Sequence, residues 1–266
     1  MLLTAFLLGL VEGLTEFLPI SSTGHLILLG DLLGFHGPTE KLFDIVIQLG
    51  AILAVCWLYR DKLVTTVTGV VRREAKEWRF VVSLLLAFLP AVVLGALLHS
   101  YIKGMLFSPK VVAVAMLVGG LVIVAVERFK PAPRLNNPYG LSVSTSLKIG
   151  LFQCLSMIPG TSRSGATIMG ALVLGVERKA ATEFSFFLAI PTMVAATTYD
   201  LYKARGTLSV SDVDLIVVGF VAAFLSALLV VRWLVGWIAR HDFQPFAWYR
   251  IIVGMGMLVL LRLALV

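Results

Sequence analysis

Two carboxylates, Glu12 and Glu16, stand four residues apart in an otherwise apolar opening segment, and Ser21, Ser22 and His25 follow within nine residues of the second. On a helix, residues four apart share a face, and Gly9 and Gly13 leave room beside this pair. Oxygen ligands so placed can seat a divalent cation, or a cation together with a general base. His25 is placed to act as base toward Ser22, or as acid toward a leaving phosphate. An acidic side chain at membrane depth costs about 2.5–3.5 kcal/mol on insertion scales, so two of them require compensation. Solvation at a headgroup boundary is the plainer alternative, but the serines and the histidine gathered beside the pair argue against it.

A second polar set has the opposite character. Pro159-Gly-Thr-Ser162-Arg163-Ser164-Gly-Ala-Thr167 reads as an anion cradle. Ser162 or Ser164 can cap the short helix that follows, and Gly160 and Gly165 let backbone N–H groups approach a ligand. Arg163 adds a planar fork suited to two phosphate oxygens, with Ser162, Ser164 and Thr167 as further substrate-binding candidates. In the first set Ser22-Thr23 takes the corresponding capping role and Ser21 joins the candidate binding residues. A capped helix with a snorkelling arginine is the alternative reading. Neither set matches a phosphate-binding P-loop, so no nucleotide is implied.

The two sets are copies of one segment. At an offset of 141 residues Gly9-Leu10 falls on Gly150-Leu151, Ser21 on Ser162, Gly24 on Gly165, Leu33-Gly34 on Leu174-Gly175 and Phe43 on Phe184. Copies that divide acid/base and anion-binding groups between them point to one shared site. Asp44 and Gln48, one turn apart, read as supporting groups. Gly50 and Pro191, at equivalent places, are expected to bend the first span of each copy.

The elements that must carry these residues follow from hydropathy. The chain of 266 residues is 59% hydrophobic and only 14% charged, with a mean hydropathy of +0.97; a soluble domain carries about 25% charged residues. Six stretches are long enough to cross a bilayer, at roughly 42–59, 80–99, 110–127, 183–202, 213–235 and 247–266. Four shorter apolar segments, at about 2–17, 23–34, 145–158 and 164–176, pair into hairpins that enter the membrane and turn back, breaking at Pro19 and at Pro159-Gly160. The expected fold is an all-α polytopic membrane protein, a single membrane domain over 1–266. It has six transmembrane helices and two re-entrant helix-loop-helix hairpins in an inverted-topology repeat, 1–130 and 142–266, joined by the proline-rich stretch Glu127–Gly140. The opening apolar run lacks a basic leader and a cleavage site and reads as part of the mature protein.

The net charge of +7 belongs to segments between spans rather than to a nucleic-acid surface. With the 60–79 loop cytoplasmic, fifteen Lys and Arg, Arg250 among them, fall on that side. Six fall opposite: Lys41, Lys103, Lys110, Lys203, Arg205 and Arg262. Both termini then face outward. Cys56 and Cys154 read as small buried hydrophobes. His36, His99 and His241, at segment ends, read as interfacial.

With these residues placed, the chain resembles the bacterial undecaprenyl-pyrophosphate phosphatases of the bacitracin-resistance family. Their E-x-x-x-E motif is met by Glu12 and Glu16, their P-x-S-S-T-G-H block by Pro19 to His25, and their P-G-x-S-R-S-x-x-T signature by Pro159 to Thr167. The likeness runs over nearly the whole chain. It implies hydrolysis of undecaprenyl pyrophosphate to undecaprenyl phosphate and inorganic phosphate at the outer face of the bacterial cytoplasmic membrane. That reaction recycles the lipid carrier of cell-wall synthesis. It also implies dependence on Mg²⁺ or Ca²⁺ and resistance to bacitracin, which competes for the lipid rather than for the protein. The partners expected are the polyprenyl lipid and the bilayer, with a homodimer as the candidate assembly and no nucleic acid.

Physics and resemblance together place Arg163 and the second hairpin on the pyrophosphate and Glu12 and Glu16 behind the cation. The attacking group is either Ser22, with His25 as base, or a metal-activated water. The polyprenyl tail is expected to stay in the bilayer without a pocket of its own. The rival reading is a lipid-phosphate transporter or flippase built on the same repeat. Hydrolysis needs the Ser-His-Glu set and carriage does not.

Overall fold

The computed structural model describes residues 1–35, 38–105, 108–204 and 213–263, with the backbone alone at 38–41, 98–105 and 204. Among the described residues five helices are long and apolar enough to span a membrane: α5 (Ala75–Met105), α6 (Pro109–Phe129), α9 (Arg178–Ala204), α10 (Val213–Ile238) and α11 (Gln244–Arg262). A sixth candidate is a bent pair, α3 (Pro38–Leu58) and α4 (Arg60–Val71), long and apolar enough only when taken together across a bend of 75°. Four short helices match the four short apolar segments: α1 (Leu2–Thr15), α2 (Ser22–Leu33), α7 (Val143–Gln153) and α8 (Arg163–Val173). The protein is all-α and polytopic, as its hydropathy predicts. Large apolar side chains such as Leu97, Leu229 and Ile252 are left on the outside of the bundle, where a bilayer accepts them.

Packing starts from glycine. The short α1 lies against α10, and the short α7 lies against α5. At Gly9 an added Cβ would stand 2.2 Å from the Gly219 carbonyl oxygen, and at Gly150, its repeat equivalent, 2.3 Å from the Ala87 oxygen. Only a hydrogen at those positions lets the helices come so close, the usual route to tight helix pairs in lipid. Each hairpin is thereby fastened to a span of the other half of the chain. α3 and α9 touch each other between the hairpins, and α6 packs along α11.

Two expectations change. The 60–79 stretch is mostly helix rather than loop. α4 turns aside from α3 and is tied to the start of α5 where Lys62 Nζ donates to both Glu77 oxygens at 2.9 and 2.8 Å and Thr66 donates at 2.8 Å. α3 runs through Gly50 and α9 through Pro191 as continuous helix, and Gly50 lets α3 meet α10, with a Cβ position 2.5 Å from the Phe220 oxygen. Arg250, expected among the cytoplasmic charges, is 1% exposed within α11 and so does not contribute to the charge bias.

The join between the halves is anchored. Glu127, at the end of α6, accepts from Arg178 Nη2 at 2.7 Å, from Lys130 and from the Phe243 backbone N–H at 3.0 Å, binding the starts of α9 and α11 together. Arg134 and Leu135 then donate to the Gly175 carbonyl. His241 is exposed and stacks on Trp237, as an interfacial residue does. His36 and Arg205, and the side chains of Lys41, His99 and Lys103, lie outside the described residues.

Candidate active site

Both hairpins are built around one local device. Ser21 and Ser162 hold φ at 71° and 72°, a region non-glycine residues rarely adopt. Each caps the next helix, Ser21 Oγ accepting from Gly24 N at 3.3 Å and Ser162 Oγ from Gly165 N at 3.0 Å. The caps are therefore Ser21 and Ser162, not Ser22-Thr23 or Ser164. Strain of this kind persists where the surroundings hold it. Here it turns the N-termini of α2 and α8, with their unpaired N–H groups, into one polar cavity.

That cavity, of about 240 Å³, is lined by Glu16, Ser21, Ser22 and Thr23 of the first hairpin and by Gly160, Ser162 and Arg163 of the second, with Gln48 from α3. Glu16 is its hub. Ser22 Oγ donates to Glu16 Oε2 at 2.5 Å, and Arg163 donates to Glu16 Oε1 from Nε at 3.4 Å and Nη2 at 3.2 Å. Arg163 Nη1 also donates to the Ser185 carbonyl at 3.1 Å. Three of the five guanidinium N–H groups are thus engaged, which leaves two for an anion. The acid set and the anion set meet across 147 residues of chain.

His25 is not where the base role requires it. One ring nitrogen, Nδ1, is 2.7 Å from the Ser21 carbonyl oxygen, and the other, Nε2, is 2.6 Å from the Tyr249 hydroxyl. With both engaged, the imidazole supports the strained Ser21 turn, and Ser22 turns to Glu16 instead. Ser164 and Thr167 do not line this cavity either. Ser164 is fully buried with Oγ 2.7 Å from the Leu18 carbonyl; Thr167 is 1% exposed and 2.6 Å from Ser185 Oγ. They brace the second hairpin from behind, because α8 buries the face that carries them.

Glu12 lies a turn deeper than Glu16, fully buried, and neither of its carboxylate oxygens has a hydrogen-bond partner. It also feels the charges of Glu16 and Asp44. Two orphaned acceptors in a dry site suit a hard cation, so the donor set fits Mg²⁺ or Ca²⁺. Among the described residues no group of three or more His, Cys, Asp or Glu is gathered for a metal. A cation held by one or two carboxylates takes its other ligands from phosphates and water, the usual habit of Mg²⁺.

A second, mostly apolar cavity of about 510 Å³ adjoins the first, sharing Ser156 and Ala196 with it. Phe88, Val92 and Met157 line it from α5 and the end of the second hairpin's first arm, and Ala195 and Tyr199 from α9. Gln153, the repeat counterpart of Glu12, lies in its wall with Nε2 unpartnered.

Tyr249, Arg250, Ser156 and Ser185 join the site without belonging to either polar set of the sequence. Arg250 carried a usable signal, since it stands inside the apolar segment that begins near residue 247. The other three are polar residues in apolar helices, as many structural hydroxyls are.

The model of the family described as bacitracin resistance protein BacA matches residues 5–256. An undecaprenyl-diphosphatase 2 of Paramagnetospirillum magneticum is 53% identical over 98% of this chain and 100% of its own length. An undecaprenyl-diphosphatase of Nitrosospira multiformis is 57% identical over 98% of this chain and 94% of its own. A third such protein, the undecaprenyl-diphosphatase 2 of Rhodospirillum rubrum, is 57% identical over 96% and 93%. With a family model spanning nearly the whole chain and relatives at this identity end to end, the chain belongs to the bacitracin resistance protein BacA family.

Proposed function

We propose that this chain hydrolyses undecaprenyl pyrophosphate to undecaprenyl phosphate and inorganic phosphate, with its cavity opening toward the outer face of the cytoplasmic membrane. The observation that carries the reading is the convergence on Glu16 of a hydroxyl nucleophile and an arginine with donors to spare. The relatives' names support the substrate, and the excess of Lys and Arg between spans supports the orientation.

Arg163 and the first-turn N–H groups of α2 and α8 hold the pyrophosphate. Ser22 Oγ attacks the terminal phosphorus while its proton passes to Glu16, 2.5 Å away. The new Oγ–P bond forms as the bridging P–O bond breaks, and undecaprenyl phosphate leaves. Water then attacks the phosphoserine phosphorus, the Oγ–P bond breaks as the proton held by Glu16 returns to Oγ, and both water protons leave on the inorganic phosphate. Glu12 and Glu16 would hold the divalent cation, which when bound supplies charge neutralisation between the carboxylates and the anionic substrate. The adjoining apolar cavity takes the first isoprene units of the tail, so the tail has a seat after all.

The test is inorganic phosphate release from farnesyl and undecaprenyl pyrophosphate by detergent-purified protein, with Mg²⁺ or EDTA. Micelles have no two sides, so transport contributes nothing. Release that needs the metal and is lost in Ser22→Ala is expected. Full activity in Ser22→Ala would remove the serine from the mechanism, and no release by folded wild type would favour a lipid-phosphate carrier.

A further inference from the structure

Arg250 reaches from α11 into the space between the two hairpins and spends every donor it has on backbone. Nε donates to Met116 O at 3.2 Å; Nη1 donates to Pro19 O at 3.1 Å and Thr161 O at 2.8 Å; Nη2 donates to Ala115 O at 3.1 Å and Gly160 O at 2.9 Å. A guanidinium has five N–H groups and these are five carbonyls, so none is left for a phosphate. Arg163 differs on this point.

The carbonyls belong to three places. Pro19 is in the break of the first hairpin, Gly160 and Thr161 are in the break of the second, and Ala115 and Met116 are in the middle of α6. Where a helix breaks inside a membrane its carbonyls lose their helical partners, and no solvent replaces them. One buried cation meets that need for both breaks at once. Pro19 stands three residues from Glu16 and three from Ser22, and Thr161 stands two from Arg163. The backbone on each side is also stiff, with left-handed φ at Ser21, Gly160 and Ser162. α6 is shaped for this cation, because a Cβ at Gly119 would lie 2.0 Å from Arg250 Nη2. The preceding residue, Tyr249, contacts His25 at 2.6 Å and so holds the first hairpin from the same helix.

We propose that Arg250 is the positioning residue of the site. It sets the distance of Arg163 from Glu16 and Ser22 by locking the two hairpin breaks to each other and to α6, and it never touches the substrate. The inference rests on the phosphatase reading, and wild-type activity in the same assay separates a failure of that reading from a failure of this one.

Lysine offers three donors from one point, too few for five carbonyls, and lacks the planar fork that reaches both hairpin breaks and α6 at once. A shift of about 1 Å between reacting groups costs on the order of 10²-fold in rate. Arg250→Lys is therefore expected to lower kcat by about 10- to 100-fold while KM moves less than about threefold. Gly119→Ala keeps the charge, crowds Nη2 and should lower kcat in the same way; it decides the matter if Arg250→Lys does not yield monodisperse protein. A third measurement separates positioning from plain loss of stability. If Arg250 acts through Glu16 and Ser22, Arg250→Lys should cost several-fold less in a Glu16→Gln background than in wild type. The proposal is overturned if KM rises tenfold with kcat kept, which would make Arg250 a phosphate ligand. Equal costs in the two backgrounds, or kcat within threefold of wild type in both Arg250→Lys and Gly119→Ala, would also overturn it.

Discussion

Glu16→Gln tests the assignment that the structure changed most, the identity of the base. The amide keeps the size of the carboxylate but cannot take a proton from Ser22, whose hydroxyl lies 2.5 Å from Glu16 Oε2. Loss of a placed general base costs roughly 10²- to 10⁴-fold, or about 2.7–5.4 kcal/mol at about 1.36 kcal/mol per decade. The same change frees Arg163 from its 3.2 Å ion pair but removes a ligand of the cation, so kcat should collapse even at saturating Mg²⁺ while more Mg²⁺ is needed for half-maximal activity. His25→Gln supplies the contrast. It disturbs the hydrogen bonds to the Ser21 carbonyl and the Tyr249 hydroxyl, each worth about 0.5–1.5 kcal/mol, so losing one should lower kcat about 2- to 13-fold and losing both about 5- to 160-fold. Steady-state phosphate release from undecaprenyl pyrophosphate gives both constants, and acid quenching with labelled substrate shows whether phosphoserine forms. If His25→Gln loses more kcat than Glu16→Gln, or if Glu16→Gln keeps kcat within tenfold of wild type, Glu16 is not the base.

Three further outcomes are expected. Gly9→Ala and Gly150→Ala should each destabilise the folded protein by about 1–3 kcal/mol through overpacking; their added Cβ atoms would stand 2.2 and 2.3 Å from backbone oxygens, and a lowered midpoint of thermal aggregation in detergent is the check. Ser164→Ala removes the 2.7 Å bond to the Leu18 carbonyl, which keeps the Ile20 N–H at 2.8 Å, a loss of about 0.5–1.5 kcal/mol, seen as lower thermal stability at unchanged KM; a large rise in KM would return Ser164 to the substrate. Ala196→Phe, at the junction of the polar and apolar cavities, should raise KM for undecaprenyl pyrophosphate; an unchanged KM would place the tail elsewhere.

Much of this protein is written in local sequence. Segment lengths separate the spans from the short hairpin arms because crossing about 30 Å of hydrocarbon takes about 20 residues of helix. The hairpin breaks are legible at Pro19 and at Pro159-Gly160 because a capping serine followed by glycine announces a helix start. Glu12, Glu16 and Arg163 stand out because hydrocarbon makes their presence costly. What lay beyond the sequence is which of these groups meet. Ser22 is nearer in sequence to His25 than to Glu16, yet its hydroxyl faces Glu16, because the Ser21 turn directs His25 toward Tyr249, 224 residues away. Ser164 and Thr167 belong to the same motif as Arg163 but face the protein, since the packing of α8 decides which of its sides is buried. Arg250 stands in the chain as a charge inside an apolar segment, but only the meeting of two hairpins and α6 at a single point brings together the five carbonyls it binds. Membrane depth and capping are properties of a few neighbouring residues, whereas contacts between segments 141 residues apart depend on how the helices dock.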